Sequence, residues 1–239
     1  MSPILAVQGL GKRFQGLVAN TDIAFTLQPG EIRSIIGPNG AGKTTFISLI
    51  SGHLTPTTGR ILYKGSDVTG LSVARRAQLG IARKFQTPSL FDSLSAYENI
   101  ELAVLRSRPR SRGHAARIGE VLELVRLADQ RHAVAKHLSH GQRQWLEIGL
   151  LLANNAELLL LDEPTAGMTA EETHATGILV RSLAREFGLS AIIIEHDINF
   201  IRDLDAPVTV LHLGRVLVEG SFAAVAADPR VRDVYLGNG

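Results

Sequence analysis

The 239-residue sequence contains no cysteine. This absence excludes disulfide bonds and metal sites built on thiolates, and it is compatible with a reducing compartment. A surplus of one charge sign is also missing, because 25 Lys and Arg stand against 23 Asp and Glu, which gives a formal net charge of +2. Net charge therefore provides no argument for binding to nucleic acid.

Long hydrophobic runs are absent as well. The longest apolar stretch, LEIGLLLANNAELLLLDEP, is interrupted by Glu147, Asn154, Asn155 and Glu157. Neither part is long enough to span a bilayer. The first residues lack a positive stretch followed by an apolar core and a small-residue cleavage site, so we expect no secretory signal. If a membrane is involved, we expect other chains to cross it.

The residues that are present indicate one folded domain, because 45% are apolar and 20% are charged. Alternating apolar positions at Ile23, Phe25 and Leu27 predict a half-buried strand that ends at Pro29–Gly30. Helical spacing predicts a helical middle third. In the last third we predict helix 142–153, strand 158–161, helix 170–187 and strand 191–194. Such alternation is typical of a parallel sheet flanked by helices.

A glycine-rich segment matches the pattern G-x-x-x-x-G-K-[ST], between a predicted strand ending at Ile36 and a predicted helix. Its glycines allow backbone N–H groups to approach phosphate oxygens closely. Lys43 would pair with the β and γ phosphates, and the Thr44 hydroxyl would bind Mg²⁺. By itself the loop predicts only a bound nucleoside triphosphate, which we take to be ATP. We assign it Gly37, Pro38, Asn39, Gly40, Ala41, Gly42, Lys43, Thr44 and Thr45.

Two adjacent carboxylates, Asp162 and Glu163, end the apolar run LLLLDEP. A fully apolar run predicts a buried central strand, and ligands bind at the carboxyl ends of such strands. We expect Asp162 to hold Mg²⁺ and Glu163 to activate the attacking water. An ordinary acidic pair at a strand end is the alternative.

A second candidate anion site is LSHGQ, at Leu138–Gln142, just before a predicted helix. N–H groups at a helix start bind anions, and Ser139 could take part. Ser139 could equally be a simple N-cap. The nucleotide-contacting candidates here are Ser139, His140, Gly141 and Gln142.

The order of the phosphate loop, FQTP, LSHGQ, LLLLDEP and IIIEHD resembles the ATPase subunits of ABC transporters over essentially the whole chain. The resemblance implies an α/β fold: a P-loop NTPase (RecA-like) core with a mainly parallel sheet, an N-terminal antiparallel β-subdomain and an inserted α-helical subdomain. Within the single domain 1–239, residues 1–86 and 154–239 would form the core with the β-subdomain. Residues 87–153 would form the helical subdomain with the signature LSHGQ.

The resemblance also implies roles for three further residues. Phe14 would stack on adenine, Gln86 would sense Mg²⁺ and γ-phosphate and couple to membrane subunits, and His196 would contact γ-phosphate. Each residue taken alone also has a non-functional explanation. Phe14 could be an ordinary core or surface residue, Gln86 a surface amide and His196 a structural histidine. The implied catalytic residues are Lys43, Gln86, Glu163 and His196, and the implied metal ligands are Thr44, Gln86 and Asp162.

In the family two ATPase subunits pair head to tail, and each signature closes over the ATP held by the other. The implied partners are a second ABC ATPase subunit, a sister chain or possibly an identical one, two transmembrane permease subunits and an extracytoplasmic solute-binding protein. The implied location is peripheral, at the cytoplasmic face of the inner membrane. Two residues depart from the usual pattern: His140 replaces a glycine, and Thr169 replaces an aspartate that signals across the interface.

KFQTP, LSHGQRQWLEIG and DEPTAGMTAEET look most like the urea-importer ATPase subunit, within the branch that also imports branched-chain amino acids and amides. A branched-chain amino acid or amide importer is the alternative. A soluble ABC ATPase acting on nucleic acid or ribosomes is the rival class, and its best support is an arginine cluster that we otherwise expect to be a solvated loop. A non-hydrolysing nucleotide-gated module is the third reading, which an intact Glu163 disfavours. The cluster comprises Arg106, Arg108, Arg110, Arg112 and Arg117.

Overall fold

The computed structural model describes residues 2–84, 90–106 and 113–236. The strands are β1 Leu5–Phe14, β2 Leu17–Leu27, β3 Ile32–Ile36, β4 Thr58–Tyr63, β5 Ser66–Asp67, β6 Ile81–Lys84, β7 Leu158–Asp162, β8 Ser190–Ile194, β9 Val208–His212 and β10 Arg215–Gly220. The α-helices are α1 Lys43–Ser51, α2 Val73–Leu79, α3 Ala96–Arg106, α4 His114–Leu124, α5 His140–Ala153, α6 Ala170–Phe187, α7 Ile198–Asp203, α8 Phe222–Ala227 and α9 Pro229–Leu236.

The N-terminal strands form an antiparallel sheet in the order β2-β1-β4-β5. On β2, Ile23, Phe25 and Leu27 are buried while their neighbours are more exposed, so the predicted half-buried strand is confirmed. The Phe25 ring packs edge-to-face with the ring of Phe46 in α1, with centroids 5.4 Å apart. This sheet therefore rests on the helix that follows the phosphate loop.

The second sheet has the order β10-β9-β3-β8-β7-β6, and all its strands run parallel except β10. All five residues of β7 are buried, as expected of a strand covered on both faces. Because β3, β7 and β8 are parallel neighbours, the loops that follow them lie at one edge of the sheet. The predicted parallel core, with an N-terminal antiparallel sheet beside it, is confirmed.

Helices α3, α4 and α5 lie between β6 and β7 in sequence and pack on one another. Ile100, Val121 and Leu146, one from each helix, are fully buried in a shared apolar cluster. The predicted boundaries of this part, 87–153, remain a prediction. No helix in the described part of the chain combines the length and apolar character needed to cross a membrane.

Arg76 of α2 is 1% exposed and braces the far end of α1. Its Nη1 donates to the carbonyls of Leu49 and Ile50 in the last turn of α1, at 2.6 and 2.7 Å. The same guanidinium donates to the Leu71 and Thr69 carbonyls. This arginine thus fixes the helix whose first turn forms the phosphate loop.

Candidate functional site

The phosphate loop joins β3 to α1, as predicted. Gly42 is the N-cap of α1 with a φ of 97°, in the left-handed region that favours glycine. A Cβ on Gly42 would lie 2.5 Å from both the Ala19 carbonyl oxygen and Asn20 Nδ2. Only glycine fits there, and no side chain caps the first amides of α1, so they face the loop as donors.

Lys43 is the first residue of α1 and is only 7% exposed. Its Nζ donates to the carbonyl of Gly37 at 2.6 Å and to that of Pro38 at 3.0 Å. Burial lowers the pKa of Lys43, while the nearby carboxylates Glu163 and Asp162 raise it. The ammonium group is thus held inside the curve of the loop.

A cavity of about 310 Å³ opens beside the loop. Phe14, Leu17 and Val18 form an apolar wall, and Phe14 is 39% exposed at the end of β1. The polar part of the lining consists of the loop from Asn39 to Thr45 together with Glu163 and His196. An apolar wall opposite anion donors suits a molecule with a flat base at one end and phosphates at the other.

Asp162 ends β7 and is 3% exposed. Its Oδ2 accepts a hydrogen bond from Arg83 Nη2 at 3.1 Å, while its Oδ1 has no hydrogen-bond partner within the described residues. Burial raises the pKa of Asp162, against the opposing effect of the Arg83 guanidinium. A buried oxygen lacking a donor suits a cation or its bound water.

The donor set fits Mg²⁺, which usually takes one or two protein carboxylates together with phosphate and water oxygens. Thr44 and Asp162 would provide the oxygens on the protein side. Across residues 2–84, 90–106 and 113–236, no group of three or more His, Cys, Asp or Glu could hold a metal ion.

Glu163 has a φ of 51°, which is unusual for a residue with a side chain and costs about 1 kcal/mol or more. Its N–H donates to the Ile194 carbonyl at 2.9 Å, which pins this conformation against β8. Glu163 Oε1 lies 3.4 Å from His196 Nε2. The two predicted catalytic side chains thus meet at the same side of the cavity.

Glu195 is a residue that sequence reasoning missed. It is 4% exposed and accepts hydrogen bonds from the N–H and hydroxyl of Thr165, at 2.9 and 2.5 Å, and from the His196 N–H at 3.0 Å. This carboxylate ties the loop after β7 to the loop after β8. The available signal was an acid at the end of the apolar run IIIE, because a buried charge requires donors.

The signature residues contact the loop after β7 and the start of α6 rather than the described lining of the cavity. Helix α5 begins at His140, so the predicted start at Gln142 was wrong by two residues. The reason is a capping box: Ser139 is extended, its hydroxyl accepts from the Gln142 N–H, and Gln142 Oε1 accepts from the Ser139 N–H. The alternative prediction that Ser139 is an N-cap is therefore confirmed.

The two departures from the family pattern both have structural partners. His140 Nε2 lies 2.9 Å from the Ala166 carbonyl oxygen and, since a carbonyl only accepts, must carry the proton. Thr169 is the N-cap of α6, where its hydroxyl accepts from the Glu172 N–H at 3.2 Å. Both side chains thus stabilise the junction between the signature and α6.

Gln86 lies outside the described residues, as do Arg108, Arg110 and Arg112. Of the arginine cluster, Arg106 ends α3, whereas Arg117 pairs with Glu120 at 3.0 Å and donates to the Leu152 carbonyl at 2.7 Å. Arg117 is thus engaged within the fold.

The phosphate loop, the carboxylate pair and the mainly parallel sheet together define a P-loop nucleotide-binding protein. Comparisons with known proteins narrow this class. The sequence profile of the ABC transporter family matches residues 20–166, and that of the branched-chain amino acid ATP-binding cassette transporter matches residues 215–239. The first match covers more than half of the chain, which therefore belongs to the ABC transporter family.

Two relatives illustrate the likeness. The high-affinity branched-chain amino acid transport ATP-binding protein LivG of Escherichia coli K12 is 32% identical, and the alignment covers 98% of both chains. The methionine import ATP-binding protein MetN of Corynebacterium efficiens is 35% identical over 89% of this chain. The chain spans only 60% of the length of that methionine import protein.

Solved structures confirm the predicted fold class. An ATP-binding cassette of an ABC transporter in its ADP conformation superposes with a TM-score of 0.88 at 27% identity, covering 100% of both chains. A bacterial ABC transporter cassette with a dimeric structure has a TM-score of 0.77 at 27% identity, covering 91% of this chain and 98% of that one. Dimers are thus found among related cassettes.

Proposed function

We propose that the chain is the ATP-binding and ATP-hydrolysing subunit of an ABC importer. The observation that carries the proposal is the convergence of the phosphate loop, Glu163 and His196 on one cavity with an apolar wall at Phe14. This arrangement provides anion donors, a carboxylate and a flat apolar surface in the order that ATP requires.

Each residue has a defined task. Lys43 and the loop N–H groups hold the phosphates, and Phe14 packs against the base. Glu163 accepts the proton of the attacking water, and His196, 3.4 Å from its carboxylate, orients it and contacts the terminal phosphate. Mg²⁺, held by Thr44 and Asp162, would neutralise charge on the phosphates. The role of Gln86 in metal sensing and coupling remains a prediction.

The active unit is a pair of ATPase subunits. The described lining of the cavity excludes Ser139, His140, Gly141 and Gln142, although these residues begin a helix and carry anion donors. Signature donors that do not line their own cavity can contact ATP bound in the cavity of a second subunit. The dimeric structure of a related cassette supports this proposal. The second subunit is a sister chain or an identical one.

The importer context adds two permease subunits, a solute-binding protein and a peripheral position at the cytoplasmic face of the inner membrane. Branched-chain amino acids are the solutes best supported, because LivG aligns with 98% of the chain and the matching C-terminal profile is also a branched-chain one. The prediction of urea, which rested on the wording of motifs around the nucleotide, stays a prediction.

Glu163→Gln tests the proposed chemistry. The amide cannot accept the proton, so turnover should fall by at least about 100-fold while ATP binding persists. Glu171→Gln is the matched control, because Glu171 is an exposed acid outside the cavity lining. Turnover of the Glu163 variant equal to that of the control would refute the assignment. A parent chain that binds ATP but never hydrolyses it, even when paired, would favour the non-hydrolysing module.

The solute is tested separately, with the chain assembled on its permease and binding-protein partners in vesicles. We expect leucine delivered by the binding protein to stimulate ATP hydrolysis and urea to leave it at the basal rate. Stimulation by urea but not by leucine would instead support the prediction from sequence that the importer transports urea.

A further inference from the structure

Glu172, in the first turn of α6, lies directly against the signature. The Ser139 hydroxyl donates to its Oε1 at 2.7 Å, and the Gly141 N–H donates to the same oxygen at 3.0 Å. Its Oε2 accepts from the Thr169 N–H at 3.2 Å. The signature, which begins a helix suited to anions, therefore already holds an anion from its own chain.

Space at Gly141 makes this contact possible. A Cβ at that position would meet the Cδ, Cγ and Oε1 of Glu172 at 3.0 Å, closer than ordinary contact. The absence of a side chain lets the carboxylate reach the backbone N–H. The second glycine of the usual signature is His140 here, and its ring is anchored to the Ala166 carbonyl on the other side of the junction.

The donors cannot serve two anions at once. A serine hydroxyl carries one proton and a backbone amide one, so neither can donate fully to both a carboxylate and a phosphate. Like charges sharing one site also repel. Hydrogen bonds from Ser139, Gly141 and Thr169 lower the pKa of Glu172, so this carboxylate is charged at neutral pH.

We propose that Glu172 is a positioning residue that holds the signature donors on an internal carboxylate and releases them when the terminal phosphate of the second subunit's ATP arrives. This inference rests on the proposed function, in which the signature closes over ATP in the other subunit. The side chain of Glu172 moves aside, while the capping box of α5 and the Thr169 hydroxyl, which accepts from the Glu172 N–H, keep the two helix starts in place. Closure therefore includes the exchange of one anion for another.

The test is Glu172→Gln in a Glu163→Gln background, which prevents hydrolysis. Glutamine has almost the same shape and can still accept from Thr169, but it carries no charge to compete with phosphate. We expect the ATP concentration at half-maximal pairing, followed by light scattering, to fall about fivefold. Glu171→Gln in the same background is the matched control and should leave pairing unchanged.

A purely structural role predicts the opposite sign. Loss of the carboxylate would then loosen the signature and raise the ATP concentration needed for pairing. An unchanged or raised concentration would therefore overturn the inference, provided that the parent Glu163→Gln chain pairs with an identical or sister subunit. A parent that pairs with neither would overturn the proposed composite site and this inference together.

A second measurement needs no partner. In the single chain, the Gly141 amide should exchange its hydrogen with solvent faster in Glu172→Gln than in the parent, because its charged acceptor is lost. The exchange rate in Glu171→Gln should match the parent. Equal protection of Gly141 in all three proteins would show that Glu172 does not hold this donor.

Discussion

Two helix starts in this chain carry candidate anion donors, and they are built in different ways. Helix α1 begins at Gly42 without a side-chain cap, beneath a loop closed around the buried ammonium of Lys43. Helix α5 begins after Ser139 with a complete capping box, and its first turn is engaged by the Glu172 carboxylate. One start has no side-chain cap and has a cation beside it, whereas donors of the other already contact a carboxylate of the same chain.

This difference between the starts of α1 and α5 matches the different roles that we propose for them. A cradle shaped by glycine, with free amides and a cation in place, can bind ATP in the single chain. A helix start that is satisfied by its own chain gains little from a passing anion, so under the proposed function it would respond to a phosphate presented by a bound partner. We therefore propose that the chain combines a preformed phosphate loop with signature donors that must first leave Glu172.

The largest effect should come from steric damage to the cradle. Gly42→Ala would place a Cβ against Ala19 and Asn20, so we expect ATP affinity to fall more than about 100-fold and the free energy of unfolding to drop by about 3 kcal/mol. Gly65→Ala is the matched control, because its φ is also positive, at 78°, but nothing lies within 4 Å of the added Cβ and it is outside the cavity lining. Calorimetric titration with ATP and chemical denaturation measure both quantities.

The control variant should lose only about 1 kcal/mol of stability, for its backbone strain. If both alanine variants bind ATP equally well, close packing at Gly42 does not shape the cradle.

Glu195→Gln tests the support on the cavity side. The amide offers one accepting oxygen to three donors and turns its own N–H₂ group toward another donor, so we expect a loss of about 2 kcal/mol in unfolding free energy. ATP turnover should fall as well, because the loop after β7, at Thr165, and the loop after β8, at His196, are no longer joined by these hydrogen bonds. Glu186→Gln, at an exposed position late in α6, is the control. A Glu195 variant as stable as this control would contradict the assignment.

Ser139→Ala tests the other helix start. Loss of the N-cap should cost about 1 kcal/mol of stability and abolish ATP-dependent pairing, while ATP affinity of the single chain stays unchanged. Ser139→Thr retains the hydroxyl and should recover pairing. Weaker ATP binding by the single alanine-substituted chain would mean that the signature acts on its own cavity.

The smallest effect concerns pH. The pKa of Glu172 is lowered in the folded chain from its ordinary 4.5, first by the Ser139 hydroxyl and then by the Gly141 and Thr169 amides. A lowered pKa contributes stability above that ordinary value, and the contribution is lost as pH falls through the folded pKa. The stability difference between the parent and Glu172→Gln should thus be present near pH 6 and shrink as the pH falls below 4.5. A difference that grows on acidification would contradict the charged contact.

Local signals account for what could be predicted. Helix α6 has the predicted bounds 170–187, since Thr169 caps its start and Gly188, with a φ of 65°, ends it. The phosphate loop and the strand ending at Ile36 likewise follow from adjacent residues. Contacts between distant residues could not be predicted: Arg83 meets Asp162 across 79 positions, and Ser139 meets Glu172 across 33. Sheet order and helix packing, rather than any local pattern, bring these pairs together.

A site completed by two subunits can be tested by measuring ATP turnover of the chain diluted until light scattering shows only single chains. We expect such chains to bind ATP but hydrolyse almost none, and turnover per chain to rise once the second subunit is added. Full turnover by chains that remain single would contradict a site completed by two subunits.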